Sequence, residues 1–233
     1  MPIDIEDKIA ELEAQADRSL AYFEVQNLQS EYNHGLDTGG VNKVARGIFS
    51  QKDPRVKTEI GGIYEGPESL KRMWDGMAGH LMTATGILGT IFISTPHIEV
   101  SEDGESAKGM WYGFGPNTFP ITPYPGNEEK LHCFWIMLKY VDEFVKEEDG
   151  WKMLSFHLEL YFRTPYDQGW VKQPDGRRFL LPPGIKPDRS DIHFKPYHPH
   201  EFNRFLPVPG HENQVDGEGA SAEPHGKGAP IES

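Results

Sequence analysis

The chain has 233 residues, and Asp plus Glu outnumber Lys plus Arg by 36 to 23, a formal charge of −13. So acidic a surface repels phosphate backbones and anionic lipid, which counts against nucleic acid and membrane as partners. A hydrophobic fraction of 37% is enough for one folded domain with appendages, while the single cysteine, Cys133, excludes an internal disulfide and a thiolate zinc cluster. No apolar run approaches the ~20 residues that span a bilayer. Residues 1–7 carry neither the basic nor the apolar region of a signal peptide, so the expected location is the cytoplasm.

Residues 4–38 read as helix. Ile5, Ile9, Leu12 and Ala16 recur at helical spacing, and Val25, Leu28, Tyr32 and Leu36 repeat the stripe. Thirty-five residues is long for one globular helix, so a break is expected near Asp17-Arg18-Ser19. Gly39-Gly40 ends the segment. A short helix over 42–49 follows, then strand pieces at 56–60 and 62–65. Gly66-Pro67-Glu68 opens another helix, with Leu70, Met73, Trp74 and Met77 as its apolar stripe.

From His80 to Phe162 the chain turns rich in Ile, Val, Thr and aromatics. It is punctuated at Ser101-Glu102-Asp103-Gly104, Pro116-Asn117, 123–126 and 147–150. This pattern predicts at least four long strands in an antiparallel meander. Helices first and strands later is the α+β order. Residues 166–211 are too rich in proline for regular structure, yet Trp170, Phe179, Phe194, Tyr197, Phe202 and Phe205 are too apolar for a free linker. They read as an ordered arm lying across the domain or a neighbouring subunit. Residues 212–233 have the composition of a disordered tail.

Several motifs fail. His157-Leu158-Glu159 lacks the cysteine pair that a zinc deaminase needs. Gly113-Phe114-Gly115 lacks the third glycine of a dinucleotide loop and reads as a bend in a strand. His193, His198, His200 and His211 lack an accompanying carboxylate set, so no metal is assigned. Cys133, inside an apolar strand, reads as a small buried thiol.

The remaining chemistry lies on the strands. Period-two alternation puts His132 with Phe134, Ile136 and Leu138. On the last strand it groups Trp151, Met153, Ser155, His157, Glu159 and Tyr161 against Leu154, Phe156, Leu158 and Leu160. His157 and Glu159 would then face a concave pocket, with the second set forming an apolar outer face that needs covering by another copy, as a dimer or trimer. Tyr32 and Asp37 end the long helix, and His80 ends the next. A histidine is the natural base near neutral pH, a carboxylate fixes its tautomer, and a tyrosine holds or protonates a substrate oxygen. One placed base is worth ~10²–10⁴ in rate, which suffices for elimination without a cofactor.

These residues also carry a resemblance. Tyr32, Leu36-Asp37-Thr38-Gly39-Gly40, Ile48-Phe49-Ser50, and the run 62–70 resemble the SnoaL-like branch of the nuclear transport factor 2-like superfamily. So do Pro96-His97-Ile98-Glu99-Val100, Ser106-Ala107-Lys108-Gly109-Met110-Trp111-Tyr112 and Gly150-Trp151-Lys152-Met153. The resemblance implies an α+β domain over 1–165, a cone-shaped curved antiparallel sheet packed on helices around a deep apolar pocket, with the proline-rich arm beyond it. It implies cofactor-free dehydratases, isomerases, cyclases and epoxide hydrolases, and also non-catalytic subunits such as those of ring-hydroxylating dioxygenases. Asp37 matches the aspartate of scytalone dehydratase-like members, and His80 matches a histidine if this chain carries an insertion of about ten residues. Length and aromatic arm look like the diarylpropane γ-formaldehyde lyase subgroup. The expected activity is therefore a lyase on an aromatic small molecule such as a lignin-derived phenylpropanoid dimer. His80, Asp37, His132, Tyr32 and His157 are its candidate acid/base groups. Tyr64, Trp111, Tyr112, Asn117, Trp135, Glu159 and Tyr161 are expected to hold substrate, with no metal and no cofactor.

Overall fold

The computed structural model describes residues 5–37, 47–58, 62–80, 85–120, 131–172, 185–189 and 197–200; at 36–37, 57–58, 78–80, 119–120 and 132 the description covers the backbone alone. The helical stripe at the amino end forms one uninterrupted helix, α1 (Ile5–Asp37). The break expected at Asp17-Arg18-Ser19 is absent, because Ser19 Oγ donates back to the Gln15 carbonyl at 2.9 Å and stays within the helical frame. Only the second half of α1 is packed. Ala21, Val25, Gln29, Tyr32 and Asn33 are buried, whereas Ile5, Ile9 and Leu12 are 73%, 50% and 53% exposed.

Two short strands, β1 (Arg55–Thr58) and β2 (Gly62–Glu65), lead into α2 (Gly66–His80). Gly66 makes that junction at φ +80°, a conformation glycine takes freely. The rest is sheet: β3 (Leu88–Gly89), β4 (Phe92–Val100), β5 (Ser106–Pro120), β6 (Leu131–Glu147) and β7 (Gly150–Pro165). The expected turns at 101–104 and 147–150 are present. Pro116-Asn117, expected as a turn, instead lies inside β5, paired with Trp135 and Phe134. Spatial order is β2-β1-β7-β6-β5-β3, with β4 also on β5. Strands β3 to β7 pair antiparallel, but β1 runs parallel to β7, so the sheet is mixed. A parallel neighbour needs a long crossover, and the whole meander between residues 58 and 150 supplies it.

The sheet curls into a half-barrel around the two helices, the α+β cone expected from the sequence. Its inward rows follow from the ladders. One row runs Tyr64, Val56, Phe156, Asp142, Gly109, Ile98; the next runs Leu158, Tyr140, Trp111; then come Leu160, Leu138, Gly113 and Arg163, Ile136, Gly115. One end of the cone is plugged by rings. Tyr32 lies 4.7 Å from Phe156, 5.9 Å from Trp74 and 6.3 Å from both Phe49 and Tyr140. Such pairs add about 0.5–1.5 kcal/mol each beyond the area they bury.

Three described pieces of the proline-rich segment rest on this domain. Ile185 fills the notch at Gly76, and Ile63 N donates to the Arg189 carbonyl at 2.8 Å. Asp188 accepts from Ser69 Oγ, from Glu65 N at 2.8 Å and from Arg72 at 2.9 Å; the Ser69 hydroxyl leads in holding its carboxyl below the usual range. Tyr197 N donates to the Tyr161 carbonyl at 2.6 Å, and Trp170 stacks on Phe162 at 4.9 Å. The remainder of the arm, the tail at 212–233 and most of the helix expected over 42–49 lie outside the described residues.

Candidate functional site

Beyond the ring cluster, buried polar side chains interrupt the inward face. The last turns of α1 bring Asn33 there; its Nδ2 donates to the Ile91 carbonyl at 3.3 Å, which ties the helix to the β3–β4 linker. That linker crosses the sheet closely. A Cβ on Gly115 would lie 1.9 Å from the Thr90 carbonyl oxygen, and one on Gly113 would lie 2.9 Å from Ile91 Cγ2. Gly115 therefore serves close approach of backbone, and Gly113 the close approach of the Leu138 and Ile91 side chains. Two rows further, Asn117 faces inward beside Phe134, and Arg163 faces inward beside Ile136. Asn117 is 6% exposed and Arg163 is 3% exposed. Asn117 Nδ2 has no hydrogen-bond partner among the described residues.

Asp37 ends α1 one turn beyond Asn33, and the backbone of His132 stands opposite Phe119, two residues before Phe134. The chain leaving α2 at His80 reaches β3, which pairs with Thr118 and Asn117, within eight residues. The side chains of Asp37, His80 and His132 lie outside the described residues.

Deeper in the cone sits a carboxyl that sequence reading missed. Asp142 is 1% exposed on the inward row between Phe156 and Gly109. Its Oδ1 accepts from His157 N at 2.9 Å, and its Oδ2 has no partner among the described residues. Burial pushes its pKa well above the usual carboxylate range, with the His157 amide pulling weakly the other way. In the next row Trp111, fully buried, lays its ring over Gly109 and donates Nε1 to Gln26 at 3.5 Å. Gln29, also fully buried, reaches Asn33 at 3.5 Å. Tyr64 heads its row with a buried hydroxyl, and burial raises that phenol to about 12. The available sequence signal for Asp142 and Arg163 was a charged residue at an inward position of an apolar alternation.

Five expected site residues lie on the outer face. A bulge at Leu154 shifts the period of β7, so Ser155, His157 and Glu159 pair with Glu143, Val141 and Lys139, away from Phe156 and Leu160. The expectation that Phe156, Leu158 and Leu160 form an apolar exterior is thus reversed: they pack in or against the core. A second extra residue, Tyr161, also faces outward, where Lys139 lies 5.2 Å over the Tyr112 ring and 5.7 Å over that of Tyr161. Desolvation lowers Lys139 and raises Tyr161. Trp135 stacks on Phe114 at 5.3 Å, with both rings partly exposed. Cys133, expected to be buried, is exposed on the same side. Of the inward candidates, Tyr64, Trp111 and Asn117 line the cone wall and Tyr32 sits in its ring cluster. A separate groove of about 570 Å³ between α1 and β4, lined among others by Arg18, Tyr22 and Phe23, has no acid/base pair.

The model of the SnoaL-like domain matches residues 17–157. No protein of curated function matches the chain. Among solved structures, hexachlorocyclohexane dehydrochlorinase LinA-type3 of Novosphingobium barchaimii is 19% identical, with a TM-score of 0.51 over 72% of this chain and 99% of that one. A Novosphingobium aromaticivorans protein assigned as a scytalone dehydratase is 20% identical, with a TM-score of 0.50 over 70% and 98%. At such identities the likeness is one of fold.

Proposed function

Because the chain belongs to the SnoaL-like family, we propose that it is a cofactor-independent lyase. Its reaction is an acid/base elimination, a dehydration or a deformylation, on an aromatic small molecule. The observation that carries this reading is a mostly apolar inward face interrupted by buried polar side chains. Asn33, Asn117 and Arg163 are buried there, and in this reading Asp37, His80 and His132 complete the site. The dehydrochlorinase and the protein assigned as a scytalone dehydratase, both of this fold, support elimination chemistry.

In this reading a histidine, His80 or His132, takes a proton from a phenol or carbon acid, and Asp37 fixes its tautomer. Electron density moves to the benzylic carbon and the leaving oxygen departs with a proton. The apolar walls, Trp111, Ile136 and Phe134, strengthen every polar contact by excluding water. The protein works as a homo-oligomer, a dimer or trimer, associating through outward rings rather than through the Phe156 side of β7.

The test is mass balance on aromatic diols offered without added cofactor. Loss of water or formaldehyde is expected; conservation of mass with rearrangement would mean an isomerase or cyclase, and no reaction a binding subunit. Asp37→Ala, His80→Ala and His132→Ala are each expected to lower kcat ~10²-fold or more with unchanged circular dichroism. Full activity in all three overturns the assignment.

A further inference from the structure

Helix α1 carries two apolar stripes, and only one of them is covered. At 3.6 residues per turn, Ala21, Val25, Gln29 and Tyr32 fall on one side, and all four are buried. Ile5, Ile9, Leu12, Ala16, Leu20 and Phe23 recur at steps of three and four along the opposite side. Their five large side chains are all at least half exposed, Phe23 at 62% and Leu20 at 56%. A lone surface leucine needs no explanation, but an apolar line running about 27 Å along a helix does. We infer that this face docks another protein, whose contacting element is an amphipathic helix with Lys or Arg beside its own apolar stripe.

Charge selects that partner. Along one margin of the stripe stand Glu6, Glu13, Asp17, Glu24 and Glu31, at steps of seven and four, so they form one acidic row. All five are exposed, and Glu24 also accepts from Trp151 Nε1 at 3.2 Å. No Lys or Arg of α1 stands on that margin. Lys8 lies across the stripe, where it pairs with Glu11 at 2.6 Å, and Arg18 lines the groove between α1 and β4. An antiparallel second copy of α1 would set the acidic row against its own like, and a parallel one against a margin whose lysine is already paired. Anionic lipid would be repelled as well, whereas a basic helix meets opposite charge along the whole row. The other margin opens on the groove of about 570 Å³, walled by Ser19, Phe23, Ile98 and Val100 among others. It has room for a large side chain of the docked helix.

The probe is a labelled peptide of three Leu-Lys-Lys-Leu-Leu-Lys-Leu heptads, read by fluorescence anisotropy against the full-length protein. One control peptide has Glu for every Lys, and another has Gln for every Leu. Wild type is expected to bind the probe with a Kd of ~1–100 µM, the range of a small transient contact, and both controls ~10-fold more weakly or worse. Ile9→Gln with Leu20→Gln should weaken the probe ~10-fold, because the apolar contact is lost. Glu13→Lys with Asp17→Lys should weaken it by a similar factor and let the glutamate peptide bind instead. Glu102→Lys with Glu148→Lys makes the same change of net charge at exposed positions away from α1, and should stay within about twofold of wild type. Circular dichroism checks every variant; should the Gln pair unfold, the charge swap decides alone. No binding below roughly 100 µM, equal loss in the remote charge pair, or no loss in the stripe variant overturns the inference. So does a lower mass of the Ile9→Gln, Leu20→Gln variant by light scattering, which would seat a second copy on this face. Sedimentation of wild type with phosphatidylcholine vesicles, lost in the same variant, would seat the face on lipid and overturn it too.

Discussion

At the level of single residues, Asp142 sets a pH dependence whose sign is fixed by its surroundings. Burial raises its folded-state pKa, so between the unfolded and folded values the native protein binds the extra proton. The stability it contributes is present at acid pH below the unfolded value and is lost as pH rises through the folded value. Asp142→Asn keeps an acceptor for His157 N and cannot ionise. Urea melts from pH 4 to 8 should therefore show the variant gaining on wild type as pH rises. A constant gap across that range would mean that Asp142 is ionised in the core. Gly115 makes a second residue-scale prediction. Its missing Cβ is where the Thr90 carbonyl passes, and backbone cannot rotate away as a side chain can. Gly115→Ala should cost ~3 kcal/mol and loosen the Asn33–Ile91 tie, visible as faster amide exchange at the end of α1.

At the level of elements, α1 divides by what its sides meet. Val25 is fully buried and Leu12 is half exposed on the same helix. Val25→Ala is expected to cost ~2 kcal/mol in a urea melt. Leu12→Ala should stay within about 0.5 kcal/mol, the usual range for a surface change. Equal costs would place the amino-terminal half of α1 against something in solution. Helix α1 was legible from its stripe because nothing interrupts a 3.6-residue period, and Ser19 proves compatible with the turn it was expected to break. Strand β7 was legible as a strand but not as two faces. Its period-two pattern survives only between bulges, and the extra residues Leu154 and Tyr161 look like any other apolar positions. One unseen residue thus moved His157 and Glu159 from the expected pocket to the exterior. The inward polar groups of β5 and β6 were readable in principle because that ladder runs unbroken from Ser106 to Pro120. Asn117 was not found that way, since Pro116-Asn117 was expected as a turn. Asp142 was missed because an acid between Val141 and Glu143 reads as part of a solvated edge.

At the level of the whole molecule, the outer face carries the association proposed above. Phe92 is 67% exposed and pairs with Phe114, which stacks on Trp135, so three rings form one apolar step across β4, β5 and β6. Contiguous apolar surface of this kind marks contact sites in soluble proteins. Light scattering should give a multiple of the 26.4 kDa chain mass for wild type and the single-chain mass for a Phe114→Glu, Trp135→Glu double variant. A wild-type value of one chain mass removes the oligomer from the reading.

The parallel seam between β1 and β7 has a further consequence, and it concerns time. Arg55 pairs with Glu65 within its hairpin, but its partner on the other side, Ser155, lies a hundred positions later. During synthesis the β1–β2 hairpin and α2 emerge early and have no edge to join until the final strand has left the ribosome. Closing so large a loop is entropically slow. Nascent chains halted before the last strand should therefore stay open to protease, and the protein should acquire its native form almost all at once, when that strand emerges.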